Sequence, residues 1–213
     1  MFYSGIVIFF GIHLIPLVTK FRLYLKDRLG EGSYMGLFSI ISLTGILLII
    51  FGYESNSNFQ YPMNGNAYIY AKYIMFFALT LNIAAVMPTY IKKYTKHPMS
   101  LGIAIWTVLH LLVNPDTASI ILFGSFLAYS TVSVLVAELR ESNAELVTPK
   151  VLYDIFAIAL GIALTFLTYN FHEYLSGVKL TKTLYDSYFP QISKFGYFYP
   201  IVTLDSLGYL FCF

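Results

Sequence analysis

Six long apolar runs, separated by short polar connections, constrain this chain more than any motif in it. They cover residues 1–18, 34–53, 73–91, 98–113, 118–137 and 151–171. About 20 apolar residues cross the hydrocarbon of a bilayer as an α-helix. A helix closes its backbone hydrogen bonds within the segment, which hydrocarbon demands. The expected architecture is therefore all-α: a polytopic transmembrane helix bundle of about six membrane-spanning helices plus an aromatic C-terminal tail. The fourth run is short, and its flanks are expected to extend it. The first run has no basic segment before it and no small-residue cleavage site, and runs directly into Pro16. It reads as a retained helix.

Composition agrees. The chain is 58% hydrophobic and 11% charged, whereas soluble domains are about 45–50% apolar and about 25% charged. A net charge of +2, dispersed along the sequence, offers nothing to a nucleic acid. The single Cys212 excludes an intrachain disulfide and a cysteine-based metal site. Basic residues gather in alternate connections: Lys20, Arg22, Lys26 and Arg28, then Lys92, Lys93 and Lys96, then Arg140 and Lys150. Residues 54–66 and 114–117 carry none. The positive-inside rule then places the N-terminus outside and these nine residues in the cytoplasm. The segment KFRLYLKDRLGEGSY reads as a short amphipathic helix on that surface, with Phe21, Leu25 and Leu29 on one face and Gly30 and Gly32 ending it. Residues 178–213 lack a helical period and carry Pro190 and Pro200. They read as an interfacial extension.

No nucleotide-binding, protease or hydrolase motif is present, and no span holds paired carboxylates. The four histidines stand out instead. An ionisable side chain at membrane depth is costly unless it faces the bundle interior and finds a partner. His13 lies in the first run, three residues before Pro16, which is expected to kink the helix. His110 follows Trp106 by one turn in the fourth run. His97 precedes it by 13 residues, about 20 Å of helix, and the two point roughly 140° apart. His97 and His13 thus fall in the inner half and His110 and His172 in the outer half, so the four cannot share one site. For each a plain reading exists: His97 as a helix start at the interface, His172 as a water-facing helix end, His110 and His13 as interhelical hydrogen-bond partners. The sharper reading is metal or haem ligation by imidazoles on separate helices. Asp116 is expected to cap the fifth helix, with Asn114–Pro115 as the turn before it. Asn82 is expected to bond between helices, Lys72 to snorkel, and Asp154 to sit at the positive end of its own helix.

The stretches GIHLIPLVTKFRLYLKDRLGEGSYMGLFSIISLTGILLIIFGY, KHPMSLGIAIWTVLHLLVNPDTASIILFGSFLAYS and FHEYLSGVKL resemble the NnrU family of bacterial integral membrane proteins, related to the cis-ζ-carotene isomerases. The resemblance covers residues 1–180 and leaves residues 181–213 as an extension outside it. Where the family shows Asn-Gly-Asp, this chain has Asn114–Pro115–Asp116. The resemblance implies a bacterial inner-membrane protein associated with nitrite and nitric oxide reduction in denitrification. It also implies haem b held by two histidines, as in the related isomerases, where a redox change at iron frees a ligand so that the metal acts on a polyene. His110 matches one ligand position and His13 the other. His97 becomes a neighbour with an orienting or interfacial role, and His172 fits the pattern of the last helix without an assigned role.

Three functional readings follow. The first is a haem-binding membrane protein of respiratory or nitrogen-oxide metabolism; the second, an isomerase acting on an apolar carotenoid-like polyene. The third is a non-catalytic assembly or regulatory factor without a cofactor. A proton relay lacks members, because no span carries a glutamate and Asp154 stands alone near an edge.

Overall fold

The computed structural model describes residues 1–54, 59–140 and 148–176; the extension expected over residues 178–213 lies outside them. Within the described residues the chain forms α1 (Phe2–Leu14), a 3-10 turn (Ile15–Leu17), α2 (Thr19–Leu29), α3 (Glu31–Gly52), α4 (Gly65–Ala85), α5 (Tyr90–Thr95), α6 (Pro98–Val113), α7 (Thr117–Leu139) and α8 (Val151–Ser176). The expected all-α bundle is what forms. Four helices are long and apolar enough to cross a membrane alone: Glu31–Gly52, Gly65–Ala85, Thr117–Leu139 and Val151–His172. The helix Pro98–Val113 is shorter, and Phe2–Leu17 is followed by Thr19–Leu29 at a bend of 97°. Pro16 therefore ends the first helix rather than kinking it. Its missing N–H converts the last turn to 3-10, and Val18 leaves the helical region altogether, at φ −99° and ψ 88°.

Small and hydroxyl side chains are inside, and large apolar ones face out. Ala78, Ala84, Ala157, Thr107 and Ser119 have no exposed surface, whereas Phe51 is 78% and Leu135 58% exposed. A water-soluble bundle would reverse this order. Lipid tails are as apolar as leucine, so helices gain contact by bringing backbones close across small residues. The chain is a multi-pass membrane protein.

The helices group into two compact units. The first comprises Met1–Pro62 and Asn114–Glu145, and holds α1, α2, α3 and α7. Here α1 runs antiparallel to α3 at near-backbone contact. A Cβ placed on Gly5 would lie 2.7 Å from the Ile49 nitrogen, and one on Gly45 2.8 Å from the Phe9 nitrogen. At the far end of the pair Gly52 meets the backbone of Phe2. Arg140, just past the end of α7, reaches the carbonyl oxygens of Pro16, at 3.2 Å, and Leu17. These are acceptors that the proline break has deprived of helical donors, and a guanidinium is well suited to them.

The second unit comprises Met63–Val113 and Leu146–Phe213, and holds α4, α5, α6 and α8. Its centre is α4, which Gly102 of α6 approaches at the Ala78 carbonyl and Asn82, and Gly161 of α8 at Thr80. Asn82 was expected to make an interhelical hydrogen bond. Its buried Oδ1 has no hydrogen-bond partner among the described residues, because the element facing it is the bare backbone at Gly102, which offers only C–H groups. Asp154 lies in the first turn of α8, as expected from the dipole, and does more than that. Its two oxygens accept from the backbone nitrogens of Tyr90 and Ile91, each at 3.0 Å, capping α5 from a distant part of the sequence. Thr89 completes the cap by accepting from the Lys92 nitrogen at 3.0 Å, and the Lys150 nitrogen bonds the Pro88 carbonyl at 3.1 Å.

Replacing Gly45 by alanine is expected to lower stability by about 1–3 kcal/mol, since the added methyl meets backbone. The same change at Gly36, with open space around it, should be neutral or stabilising by up to about 1 kcal/mol through helix propensity. Thermal unfolding in detergent, followed by circular dichroism, reads both. Asp154→Ala should cost about 0.5–2 kcal/mol by removing the cap of α5, and Asp154→Asn less. Little loss in either variant would show that the carboxylate cap contributes little.

Candidate functional site

His13 closes the last turn of α1. Its Nδ1 lies 2.6 Å from the Phe9 carbonyl oxygen, and a carbonyl only accepts, so Nδ1–H donates. In the neutral ring the lone pair is then on Nε2, the tautomer a metal needs. Three aromatic rings of the first unit surround it: Phe9 at 4.2 Å between centroids, Phe38 at 5.2 Å and Tyr129 at 5.9 Å.

His110 repeats the arrangement in the second unit. Its Nδ1 lies 2.9 Å from the Trp106 carbonyl, so any ligand role again falls to Nε2. The Trp106 ring sits 5.2 Å away. The imidazole of His172, in the penultimate turn of α8, lies with its centroid 6.5 Å from that of His110 and its plane inclined by 28°. The histidine with no assigned role is therefore the one brought beside His110. The two were already placed in the same half of the membrane by the direction of their helices, and this was the signal that could have paired them.

His97 sits at the other end of α6. Its nitrogen donates to the Thr95 carbonyl at 2.6 Å and its carbonyl accepts from Leu101 at 3.0 Å. Lys96, at φ +57°, makes the tight turn that lets Pro98 begin the helix. The 13 residues separating His97 from His110, about 20 Å along a straight helix, keep the two from one ligand. Beside them, α6 and Ile74 border an apolar groove of about 270 Å³ lined by Ala104, Ile105, Val108, Leu109 and Leu112. At about 100° per residue, Trp106 and His110 lie on another face of α6.

Asp116, 2% exposed, caps α7 as expected, accepting from the Ser119 nitrogen at 3.1 Å. Sequence reasoning missed the rest of its surroundings. The Ser119 hydroxyl donates to Asp116 Oδ2 at 2.6 Å, which leaves it to accept from the Tyr53 hydroxyl at 2.7 Å. Phe59 pairs with Asp116 as an antiparallel bridge, and the Gln60 nitrogen bonds the Pro115 carbonyl at 2.9 Å. Burial, and then the Asp116 charge, push the Tyr61 phenol upward. Asn114 is half-buried in the preceding turn.

Among the described residues no group of three or more His, Cys, Asp and Glu gathers to cage a metal ion. Two imidazoles are nevertheless the protein donor set that an iron porphyrin takes, because the macrocycle supplies the four equatorial nitrogens. The family model of the NnrU protein matches residues 1–180. The chain belongs to the NnrU family. No curated protein and no solved structure matches it. In this NnrU-family chain the family match ends four residues after the last described helix.

Removing the Asp116 cap should be costly. Asp116→Ala is expected to destabilise by about 2–3 kcal/mol, since it strands the Ser119 donors in a buried place. Ser119→Ala in the same background should add little, because the two groups act as one network. Additive losses in thermal unfolding would contradict that coupling.

Proposed function

We propose that this NnrU-family protein is a haem b-binding protein of the bacterial inner membrane, with its N-terminus outside, serving nitrite and nitric oxide metabolism. The observation that carries the haem reading is the posture of His110. A backbone carbonyl takes its Nδ1–H, a second imidazole stands 6.5 Å off, and both lie on apolar helices. Orientation is supported by the nine basic residues in alternate connections. The nitrogen-oxide role is supported by the family resemblance.

His110 would hold the iron through Nε2. When bound, haem supplies an iron that changes oxidation state and takes small ligands axially. The chain's own part is to fix the ring. The Trp106 carbonyl holds the His110 tautomer and orientation, as partners of ligating histidines do elsewhere. Apolar helices around the site exclude water.

A second reading, cis–trans isomerisation of a carotenoid-like polyene, is favoured by the aliphatic groove on α6. Its lining is aliphatic and offers no polar group to orient a hydrophilic substrate.

Protein purified in detergent after haem supplementation is expected to show a Soret band. His110→Ala should lower haem retention roughly tenfold or more, while the fold persists by circular dichroism. An absent band in the wild type, or one unchanged in His110→Ala, would sink the haem reading. Conversion of a cis-carotene by the loaded protein, followed chromatographically, would move the assignment to the isomerase.

A further inference from the structure

The imidazoles of His110 and His172 belong to one compact unit and come from two helices, α6 and α8. We infer that His172, and not His13, is the second axial ligand of the haem iron, so that α6 and α8 clamp the macrocycle between them. This rests on the haem reading above and names the partner within that site.

Spacing is the first support. An iron bound by two imidazoles at about 2 Å from each nitrogen, with the half-width of each ring added, holds the centroids roughly 6–6.5 Å apart. The observed separation is 6.5 Å. The second support is the surroundings of His13. Phe9, Phe38 and Tyr129 enclose its ring from α1, α3 and α7. A planar macrocycle at Nε2 needs room on both sides of the imidazole, and these rings crowd the His13 side chain. Rings packed this way explain a half-buried imidazole without a metal. Depth is the third support. α6 and α8 each follow a basic connection, so they cross in the same direction. His110 is three residues from the end of α6 and His172 four from the end of α8, which places both at the same side of the membrane.

The test uses the full chain, loaded with haem b in detergent and read by absorption and by electron paramagnetic resonance of the ferric form. The wild type should be six-coordinate and low-spin. His172→Ala should become high-spin and lose haem roughly tenfold faster, and added imidazole should restore the low-spin signal. His172→Met should stay low-spin with a shifted spectrum, as expected for histidine–methionine ligation; this variant answers the question if His172→Ala fails to fold. His13→Ala should keep the wild-type spectrum. A wild-type spectrum in both His172 variants, with the low-spin signal lost in His13→Ala, would overturn this assignment and leave the haem reading standing. A wild type that takes up no haem would overturn both.

Discussion

In hydrocarbon two helices gain nothing by hiding leucine from lipid, so what holds them together has to come from how closely their backbones approach. Gly5 and Gly45 of the first unit, and Gly102 and Gly161 of the second, supply that approach. Each is placed where even a methyl group would meet the neighbouring helix. Everything else in the fold is arranged around those contacts. Large side chains such as Phe51 and Leu135 turn outward because the centre has no volume for them. Polar side chains must be satisfied without help from bulky neighbours or water.

Charged residues serve a different end. Arg140 bonds the carbonyls that Pro16 leaves open, Asp154 takes the first donors of α5, and Asp116 those of α7. All three act at helix termini, where unpaired backbone groups are concentrated. None stands mid-span. These three charges are accounted for by closing helices, and the chemistry has to be sought in groups that closing helices does not use.

Much of this was legible in the sequence. The positions of the apolar runs follow from the length a helix needs in a bilayer, and the Asp116 cap follows from a short acid placed directly after Asn114–Pro115. The basic helix after Pro16 was legible from its charge pattern, and α2 is where it was expected. What escaped was long-range. Asp154 caps a helix that begins 64 residues earlier, and Tyr53 reaches Ser119 across 66; no local pattern encodes either. Asn82 misled because an amide in a span usually finds a donor, and here the opposing position is a glycine. The role of His172 was hidden because pairing depends on which helices meet, which one sequence does not state.

The histidines differ from the other polar residues of the spans in one physical respect. Ser39, Thr44, Ser125, Thr131, Thr165 and Thr168 each donate to the carbonyl four residues earlier. One donor meets one acceptor, and the hydroxyl is absorbed by its own helix. His13 and His110 make the same backward bond, to Phe9 and Trp106. An imidazole has a second nitrogen, however, and the ring is too wide for both to reach the same helix. Whatever satisfies Nε2 must come from outside the turn that holds Nδ1. A side chain that the helix can fix but cannot fully satisfy is what a ligand site in a membrane requires. His13 and His110 combine an orientation fixed by their own helix with a second nitrogen that the same turn does not hold.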